Sequence, residues 1–278
     1  MTENKIALTI AGSDSGGGAG IQADLKTFQE LKTFGTSVLT AVTAQNTLGV
    51  QGVYEVPTEG IRQQLQSIFA DLRPRAVKTG MLFSAEVVEL VSNELRTLVE
   101  GVPVVCDPVM IAKGGAALLQ ETAQNAVREF LLPVCTLVTP NIPEAEALTG
   151  MTITSLAEMV EAGKIMQELG AKNVLVKGGH MEGAHAIDVL VMADKVVLFE
   201  SERIDTVETH GTGCTYSAAI TAGLAQGLSL VDAVHQGKAF VQAAIAHSLH
   251  LGRGHGPTNH FAFQQVKDPF AAIEMSEW

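Results

Sequence analysis

Apolar residues along the chain follow two periodicities, which separate predicted strands from predicted helices. Short apolar runs predict six strands, at residues 5–11, 37–43, 76–79, 102–107, 136–139 and 173–177. Longer segments with a helical repeat predict helices at residues 19–31, 59–71, 85–99, 121–131, 156–169, 214–226 and 230–249. Several strands are continuously apolar and most are followed by a helix, so the pattern predicts parallel βαβ units in one open sheet covered on both faces.

Two further apolar runs add antiparallel strands to this α/β sheet. Residues 187–192 and 196–200 are separated only by Ala193, Asp194 and Lys195, which predicts a hairpin. The 278 residues contain no linker, low-complexity tract or internal repeat. We therefore expect one domain spanning residues 1–278.

Composition excludes several classes of function. The formal net charge of -12 argues against a nucleic-acid surface, although backbone amides and a few lysines can still hold a small anion. The three cysteines are far apart in the sequence and form no zinc-binding spacing. No apolar run is long enough to span a bilayer, and residues 1–11 do not resemble a signal peptide, so we expect a cytoplasmic protein without membrane partners.

Loops rich in glycine and polar residues follow all six predicted parallel strands. They lie at residues 12–18, 44–47, 80–81, 107–110, 140–144 and 178–180. In an open parallel sheet, ligands bind beyond the carboxyl ends of the strands. Six such loops at one edge predict a cleft.

The glycine run after the first strand fits neither common nucleotide motif. Residues 16–21 lack the final small residue of the dinucleotide fingerprint, and no Gly-Lys-Ser/Thr follows for a P-loop. Three consecutive glycines would let the backbone close tightly on a ligand. A turn that merely caps a helix is the alternative.

Charged residues at neighbouring strand ends suggest an anion or cation site. Asp107 and Glu144 could hold Mg²⁺, which takes one or two carboxylates alongside substrate phosphates, or they could be helix caps. Lys177 ends a strand and could lie beside the phosphates of a nucleotide, or on the solvated surface.

Other candidates combine polar and apolar surface. Gln45 and Asp24 could bind the edge of a heterocycle, and Met81 could contact its ring, although each also suits an ordinary turn, helix or core position. Cys214 lies at a predicted helix start, which should lower its pKa, or it is an inert buried thiol. A hydrolase dyad with His210 lacks any supporting motif.

The combined motifs resemble those of the hydroxymethylpyrimidine/phosphomethylpyrimidine kinases of thiamine biosynthesis. The matching stretches are residues 12–24, 43–47, 78–81, 107–110, 139–144 and 210–215, and they occur in the family's order over nearly the whole chain. The resemblance implies a ribokinase-like fold, a three-layer α/β/α sandwich with a mostly parallel sheet. It implies MgATP as donor, 4-amino-5-hydroxymethyl-2-methylpyrimidine as acceptor, and a second phosphorylation to the diphosphate. The expected assembly is a homodimer.

The resemblance also implies roles for individual residues. Gln45 and Asp24 would bind the pyrimidine, with Gly12 and Met81 lining its pocket. Gly211, Thr212 and Gly213 would form an anion hole, with Cys214 facing the acceptor. The remaining residues would serve MgATP: Asp107 and Glu144 at the metal, and Asn141, Lys177, Thr209 and Lys238 at the nucleotide, with residues 196–204 bordering the adenine.

Two alternatives remain at this point. A vitamin B6 kinase shares the frame and the cysteine, but such relatives tend to lose the stretch Thr43-Ala44-Gln45-Asn46. The second alternative is a non-catalytic nucleotide-binding module, which would form no phosphorylated acceptor. Wider sugar-kinase relatives carry aspartate where this chain has Cys214, which suggests that the thiol serves an acceptor that is itself anionic in the second step.

Overall fold

The computed structural model describes residues 5–110 and 121–278, and within them ten strands form one sheet. The strands are β1 (Ile6–Ser13), β2 (Phe34–Asn46), β3 (Gly49–Glu55), β4 (Ala76–Thr79), β5 (Val104–Cys106), β6 (Leu137–Val138), β7 (Val174–Val176), β8 (His185–Val191), β9 (Val196–Glu202) and β10 (Glu274–Glu277). Their order is β10-β9-β8-β7-β6-β5-β4-β1-β2-β3. The six central strands β2, β1, β4, β5, β6 and β7 run parallel, and antiparallel strands complete both edges.

Helices cover both faces of this sheet. They are α1 (Gly20–Glu30), α2 (Thr58–Asp71), α3 (Ala85–Leu98), α4 (Glu121–Ala126), α5 (Ile142–Thr149), α6 (Leu156–Glu168), α7 (Thr212–Ala225), α8 (Leu230–Ala246) and α9 (Ala262–Gln265). One large core contains side chains of α2 to α6, whereas two smaller clusters contain those of α1, α7 and α8. The predicted three-layer α/β/α sandwich with a mostly parallel sheet is confirmed.

The layer positions explain the helix sequences. α3 has an apolar stripe that includes Val87, Val91 and Leu95, as a helix with one face in the core should. α7 is buried along nearly its whole length, so small residues such as Ala218 and Ala222 let it approach both α1 and α8. This central helix begins at the sheet edge where the polar loops meet.

The sequence pattern missed several elements and misjudged one. β3 contains two glycines and is largely exposed, so its apolar alternation is weak. α5 has only eight residues and is stabilised by local capping. β10 is fully exposed. The predicted helix at 121–131 changes at Val127–Leu131 into a π-helical turn. None of the described helices combines the length and hydropathy needed to cross a membrane.

Candidate active site

A cavity of about 950 Å³ opens at the carboxyl ends of the central strands. Every predicted site residue except Asp24 lines it, namely Gly12, Gln45, Met81, Asp107, Asn141, Glu144, Lys177, Thr209, Gly211, Thr212, Gly213, Cys214 and Lys238. The cavity is large enough for two ligands of small-molecule size, since typical ligand pockets measure roughly 300–1,000 Å³. The predicted cleft therefore exists, and all six predicted loops contribute to its walls.

The N-terminus of α7 forms one wall of the cavity. Gly211 has a φ of +80° and turns the chain into the helix. A Cβ at Gly211 would lie 1.7 Å from the carbonyl oxygen of Gly18, so only glycine lets the two loops touch. First-turn amides of a helix point out of its N-terminus without intrahelical partners, and here they belong to Gly213 and Cys214. This end of α7 suits a bound anion.

One carboxylate and one ammonium group lie against that helix terminus. Lys177 Nζ donates to Asp107 Oδ1 at 3.1 Å, and Ser217 Oγ donates to Asp107 Oδ2 at 3.4 Å. A Cβ built on Gly213 would lie 3.3 Å from Lys177 Nζ and 3.4 Å from Asp107 Oδ2. The lysine, the carboxylate and the first turn of α7 thus share one corner of the cavity.

Glu144 combines a structural role with a place in that corner. Its side chain accepts from the Asn141 amide at 2.9 Å while the Asn141 side chain accepts from the Glu144 amide, which closes a capping box at the start of α5. Burial raises the pKa of Glu144 to about 7, an effect that Lys177 opposes and the Asp107 carboxylate reinforces. The cap interpretation is therefore correct, and it does not remove Glu144 from the cavity wall.

Asp107 and Glu144 suit a magnesium ion only when phosphates complete its coordination. In the described part of the chain, no three His, Cys, Asp or Glu side chains cluster closely enough to hold a metal themselves. Mg²⁺ typically keeps several waters and uses one or two carboxylates together with substrate phosphates. A cation here would also relieve the repulsion that raises the pKa of Glu144.

We expect Glu144 to make the ligand-free protein less stable as the pH rises. Its folded pKa of about 7 exceeds the ordinary 4.5, so the folded state binds the proton more tightly than the unfolded chain. This stabilisation is complete below pH 4.5 and is lost as the pH rises through 7. Urea unfolding measures this effect. Between pH 5 and pH 8, the free energy of unfolding should fall by on the order of 2–3 kcal/mol less in Glu144→Gln than in the wild type. An equally steep decline in the variant would contradict this assignment.

The Cys214 thiol stays protonated, contrary to the expectation from its helix position. Burial raises the pKa of Cys214 to about 12, and the carboxylates of Asp24 and Asp107 act in the same direction against Lys78. The Gly20 amide, which donates to the sulfur, only partly offsets this. The thiol is therefore a neutral group at the cavity wall and not a thiolate base. The helix terminus alone would lower the pKa of this thiol, but desolvation has the larger effect and raises it.

Asp24 lies behind the cavity wall and not on it. Its carboxylate accepts from Thr9 Oγ1 at 2.6 Å and from Lys78 Nζ at 2.8 and 2.9 Å, and the Asp24 and Lys78 side chains are fully buried. Burial by itself lowers the pKa of an ammonium group, but the Asp24 carboxylate raises the pKa of Lys78 above its usual value. The structure thus corrects the predicted pyrimidine contact, because the carboxylate is occupied by Lys78 and Thr9.

Asp14 organises the glycine loop, a role that the sequence analysis missed. Its carboxylate accepts from the amides of Gly16, Gly18 and Ala19 at 2.8, 3.0 and 2.8 Å, and from His210 Nε2 at 2.9 Å. Burial by itself raises the pKa of Asp14, but these hydrogen bonds outweigh it and hold the pKa below the usual value. An aspartate two residues before a glycine run is the signal that could have found this turn.

His210 serves this loop and forms no dyad with Cys214. Its Nε2 atom contacts Asp14 Oδ2 and, at 3.3 Å, Gln45 Nε2. Gln45, Met81 and Gly12 share this end of the cavity; a Cβ on Gly12 would lie only 2.4 Å from Met81 Cε. Three of the four residues predicted to bind a heterocycle are thus brought together, without Asp24 and with His210 as an added member.

Lys238 lies at the far end of the cavity, but its charge is already compensated. Its Nζ donates to Asp188 Oδ2 at 2.8 Å and to the Ala186 carbonyl at 3.0 Å. Ser201, Glu202 and Ile204 line the same end, within the predicted border region 196–204. Lys238 is therefore part of the cavity wall, and Asp188 compensates its charge there.

Comparisons with known proteins agree with this geometry. The family model described as phosphomethylpyrimidine kinase matches residues 14–259. The chain is 51% identical over 260 residues to the hydroxymethylpyrimidine/phosphomethylpyrimidine kinase of Bacillus subtilis, covering 93% of this chain and 96% of that one. It is 50% identical over 262 residues to a thiamine biosynthesis bifunctional protein of Geobacter sulfurreducens, covering 94% of this chain and 53% of the relative. The solved pyridoxal kinase of Staphylococcus aureus in complex with AMP-PCP superimposes with a TM-score of 0.91 at 34% identity, covering 99% of both chains.

Proposed function

The chain belongs to the phosphomethylpyrimidine kinase family, and we propose on that premise how its cavity carries out the reaction. The enzyme is an ATP-dependent phosphotransferase of thiamine biosynthesis. It phosphorylates 4-amino-5-hydroxymethyl-2-methylpyrimidine and then phosphorylates the resulting monophosphate. In the proposed arrangement, residues 1–278 act as one kinase unit with the acceptor at the Gln45 end and ATP at the Lys238 end.

One observation carries this arrangement: the N-terminus of α7 meets Lys177 and Asp107 in a corner between the two ends of the cavity. Phosphoryl transfer needs little covalent chemistry from the protein, so positioning and charge compensation dominate. The amides of Gly213 and Cys214, next to Thr212, would bind the transferring phosphoryl group. Lys177 would compensate the charge of the ATP phosphates, with Thr209 and Asn141 at the edge of the same subsite.

Asp107 and Glu144 would hold the magnesium ion of MgATP. When bound, the ion would neutralise phosphate charge during transfer. Asp107 already pairs with Lys177, so the ammonium group would compensate the phosphate charge from the same corner of the cavity. Glu144 would keep the hydrogen bond that it accepts from the Asn141 amide.

At the acceptor end, Gln45 would bind the amidine edge of the pyrimidine through its amide. Gly12 lets Met81 pack close to the first strand, so the methionine forms an apolar surface for the ring. Asp24 supports this end indirectly by pairing with Lys78. A neutral amide suits an uncharged aminopyrimidine better than a carboxylate would.

The similarity to a pyridoxal kinase structure makes vitamin B6 the alternative acceptor to test. Steady-state kinetics distinguish the two acceptors. With MgATP in excess, kcat/KM for the aminopyrimidine alcohol should exceed that for pyridoxal by at least about 100-fold, because the Gln45 amide matches only the former. Comparable values for both acceptors would contradict the proposed pocket. ATP hydrolysis without a phosphorylated acceptor would favour a nucleotide-binding module.

Replacing Cys214 by aspartate should harm the second transfer more than the first. A carboxylate would stand near Asp24 and Asp107 and repel a phosphate that attacks as an anion, whereas the neutral thiol does not. We expect a loss of about tenfold for the alcohol and about 1,000-fold for the monophosphate, measured as separate kcat/KM values. Cys214→Ser keeps a small neutral group and should preserve the ratio of the two rates. Equal losses in Cys214→Asp would rule out this role.

We propose that two copies associate through the β2–β3 edge of the sheet. Val42 and Tyr54 face each other across these strands and are 44% and 67% exposed, and β3 is the last strand of the described sheet. Light scattering at micromolar concentration should give a dimer for the wild type and a monomer for Tyr54→Glu. Trp278→Glu, at the opposite edge, should remain dimeric. A monomeric wild type would contradict the assembly.

The cytoplasm stays the predicted location, because ATP is the donor.

A further inference from the structure

His210 links the glycine loop to the amide that would bind the acceptor. Its Nε2 atom lies 2.9 Å from Asp14 Oδ2 and 3.3 Å from Gln45 Nε2. The Asp14 carboxylate also accepts three loop amides and is almost fully buried. The proposed mechanism uses neither His210 nor Asp14. The contact that His210, held by Asp14, makes with Gln45 therefore calls for a function of its own.

Hydrogen-bond chemistry fixes the proton on His210. A carboxylate of lowered pKa is ionised at neutral pH and can only accept. The short contact to Asp14 therefore requires a hydrogen on His210 Nε2. This holds both for the neutral Nε2–H imidazole and for the imidazolium, since each carries a hydrogen on that atom. Nε2 is thus a donor and cannot accept a hydrogen bond from Gln45.

That conclusion determines the orientation of the Gln45 amide. With the NH₂ group toward His210, two donors face each other at 3.3 Å. At the other end, Gln45 Oε1 faces Thr43 Oγ1 at 3.3 Å, although the Thr43 hydroxyl hydrogen is committed to the Ser13 carbonyl at 2.8 Å. Both contacts pair like groups. Rotating the amide by 180° places Oε1 beside the His210 N–H, whose single hydrogen it then shares with Asp14 in a three-centre hydrogen bond. The same rotation places NH₂ on the free lone pair of Thr43, so that neither contact pairs like groups.

We propose that His210, held by Asp14, is a positioning residue that fixes the donor and acceptor ends of the Gln45 amide. The carbonyl lies on the His210 side and the NH₂ group on the Thr43 side. If Gln45 binds the acceptor, as in the proposed function on which this inference rests, the substrate must present an amino group to Oε1 and an unprotonated ring nitrogen to Nε2. An aminopyrimidine does this. The 4-oxo analogue presents a carbonyl and a ring N–H, which is the opposite pattern.

The backbone around His210 should survive replacement of its side chain. The His210 amide donates to the Gly256 carbonyl at 3.1 Å, and the His210 carbonyl accepts from the Thr258 amide at 3.2 Å. These bonds hold the residue next to Gly211 whatever the side chain is. His210→Leu removes the donor to Gln45, whereas His210→Gln can keep an N–H donor near the position of Nε2.

The test measures kcat/KM with MgATP for the aminopyrimidine alcohol and for its 4-oxo analogue. The wild type should prefer the amino compound by about 100-fold or more, since the oxo compound leaves buried groups unpaired. In His210→Leu the amide can rotate, so the preference should fall at least about tenfold, partly through a gain for the oxo compound. In His210→Gln the preference should stay within about threefold of the wild type.

Controls separate this role from general damage and from failure of the proposed function. In a Gln45→Met background, His210→Leu should leave the amino-to-oxo ratio unchanged, because the amide is gone. Thr43→Val gives a second route, because it removes the acceptor for NH₂ and should also reduce the ratio. Equal losses for both compounds in His210→Leu and Thr43→Val would overturn the inference and leave the kinase assignment intact. A wild type that phosphorylates neither compound would instead overturn the proposed function.

Discussion

Gly211→Ala should lower kcat for the first transfer by a factor of about 10²–10³ while the protein stays folded. The new Cβ would lie 1.7 Å from the Gly18 carbonyl oxygen and 2.8 Å from its carbon, and the residue has a φ of +80°. Relief of this overlap must move the start of α7 away from the glycine loop. The amides of Gly213 and Cys214 would then no longer meet the phosphoryl group, which Lys177 alone cannot replace.

The matched control for this variant is Gly101→Ala. Gly101 has a φ of +74°, but a Cβ there meets nothing within 4 Å. It therefore shares the backbone strain of a left-handed alanine without the collision. The kcat values of both variants are measured at saturating MgATP and acceptor. Similar kcat values for the two variants would show that the contact between the loops does not shape the anion site.

Lys78→Met should lower the free energy of unfolding by about 3–5 kcal/mol. Both side chains of the Lys78–Asp24 pair are fully buried. Loss of the ammonium group leaves the Asp24 carboxylate with the Thr9 hydroxyl as its one remaining hydrogen-bond partner among the described residues. Removal of one member of a buried ion pair is far more damaging than removal of both. The double variant Lys78→Met with Asp24→Asn should therefore recover part of the loss in urea unfolding.

Arg62→Ala provides the exposed counterpart. Arg62 pairs with Glu59 and Glu94 at 3.0 Å, but its side chain is 42% exposed. Exposed ion pairs contribute roughly 0–1 kcal/mol, so this variant should be nearly as stable as the wild type. If Lys78→Met cost no more than Arg62→Ala, the pair behind Cys214 would not be the buried ionic contact that the structure describes.

The central parallel strands were predictable because burial on both faces leaves a continuous apolar run. β4 matches its predicted bounds at Ala76–Thr79, and the hairpin of β8 and β9 follows from the spacing around Asp194. β3 and β10 lie at the edges of the sheet, where few side chains are buried and the pattern carries little information. α5 depends on the Asn141–Glu144 capping box, a local contact that apolar periodicity does not reveal.

The sequence predicted which loops surround the site more reliably than it predicted which side chains contact each other there. Strand ends place Asp107, Glu144 and Lys177 at one edge, and the structure brings them together. Burial could not be judged from the sequence, so Asp24 was assigned to the ligand although Lys78 occupies its carboxylate. For the same reason, the pKa of Cys214 was expected to fall and instead rises. The role of His210 depends on Asp14, which is 196 residues away in the chain.

The most direct test of the two-step kinase is a time course of its products by mass spectrometry. The protein is incubated with MgATP and 4-amino-5-hydroxymethyl-2-methylpyrimidine, and the alcohol, monophosphate and diphosphate are resolved. We predict that the monophosphate appears first and is then converted into the diphosphate, with one ATP consumed at each step. No phosphorylated pyrimidine, or a monophosphate that accumulates without any diphosphate, would contradict the account.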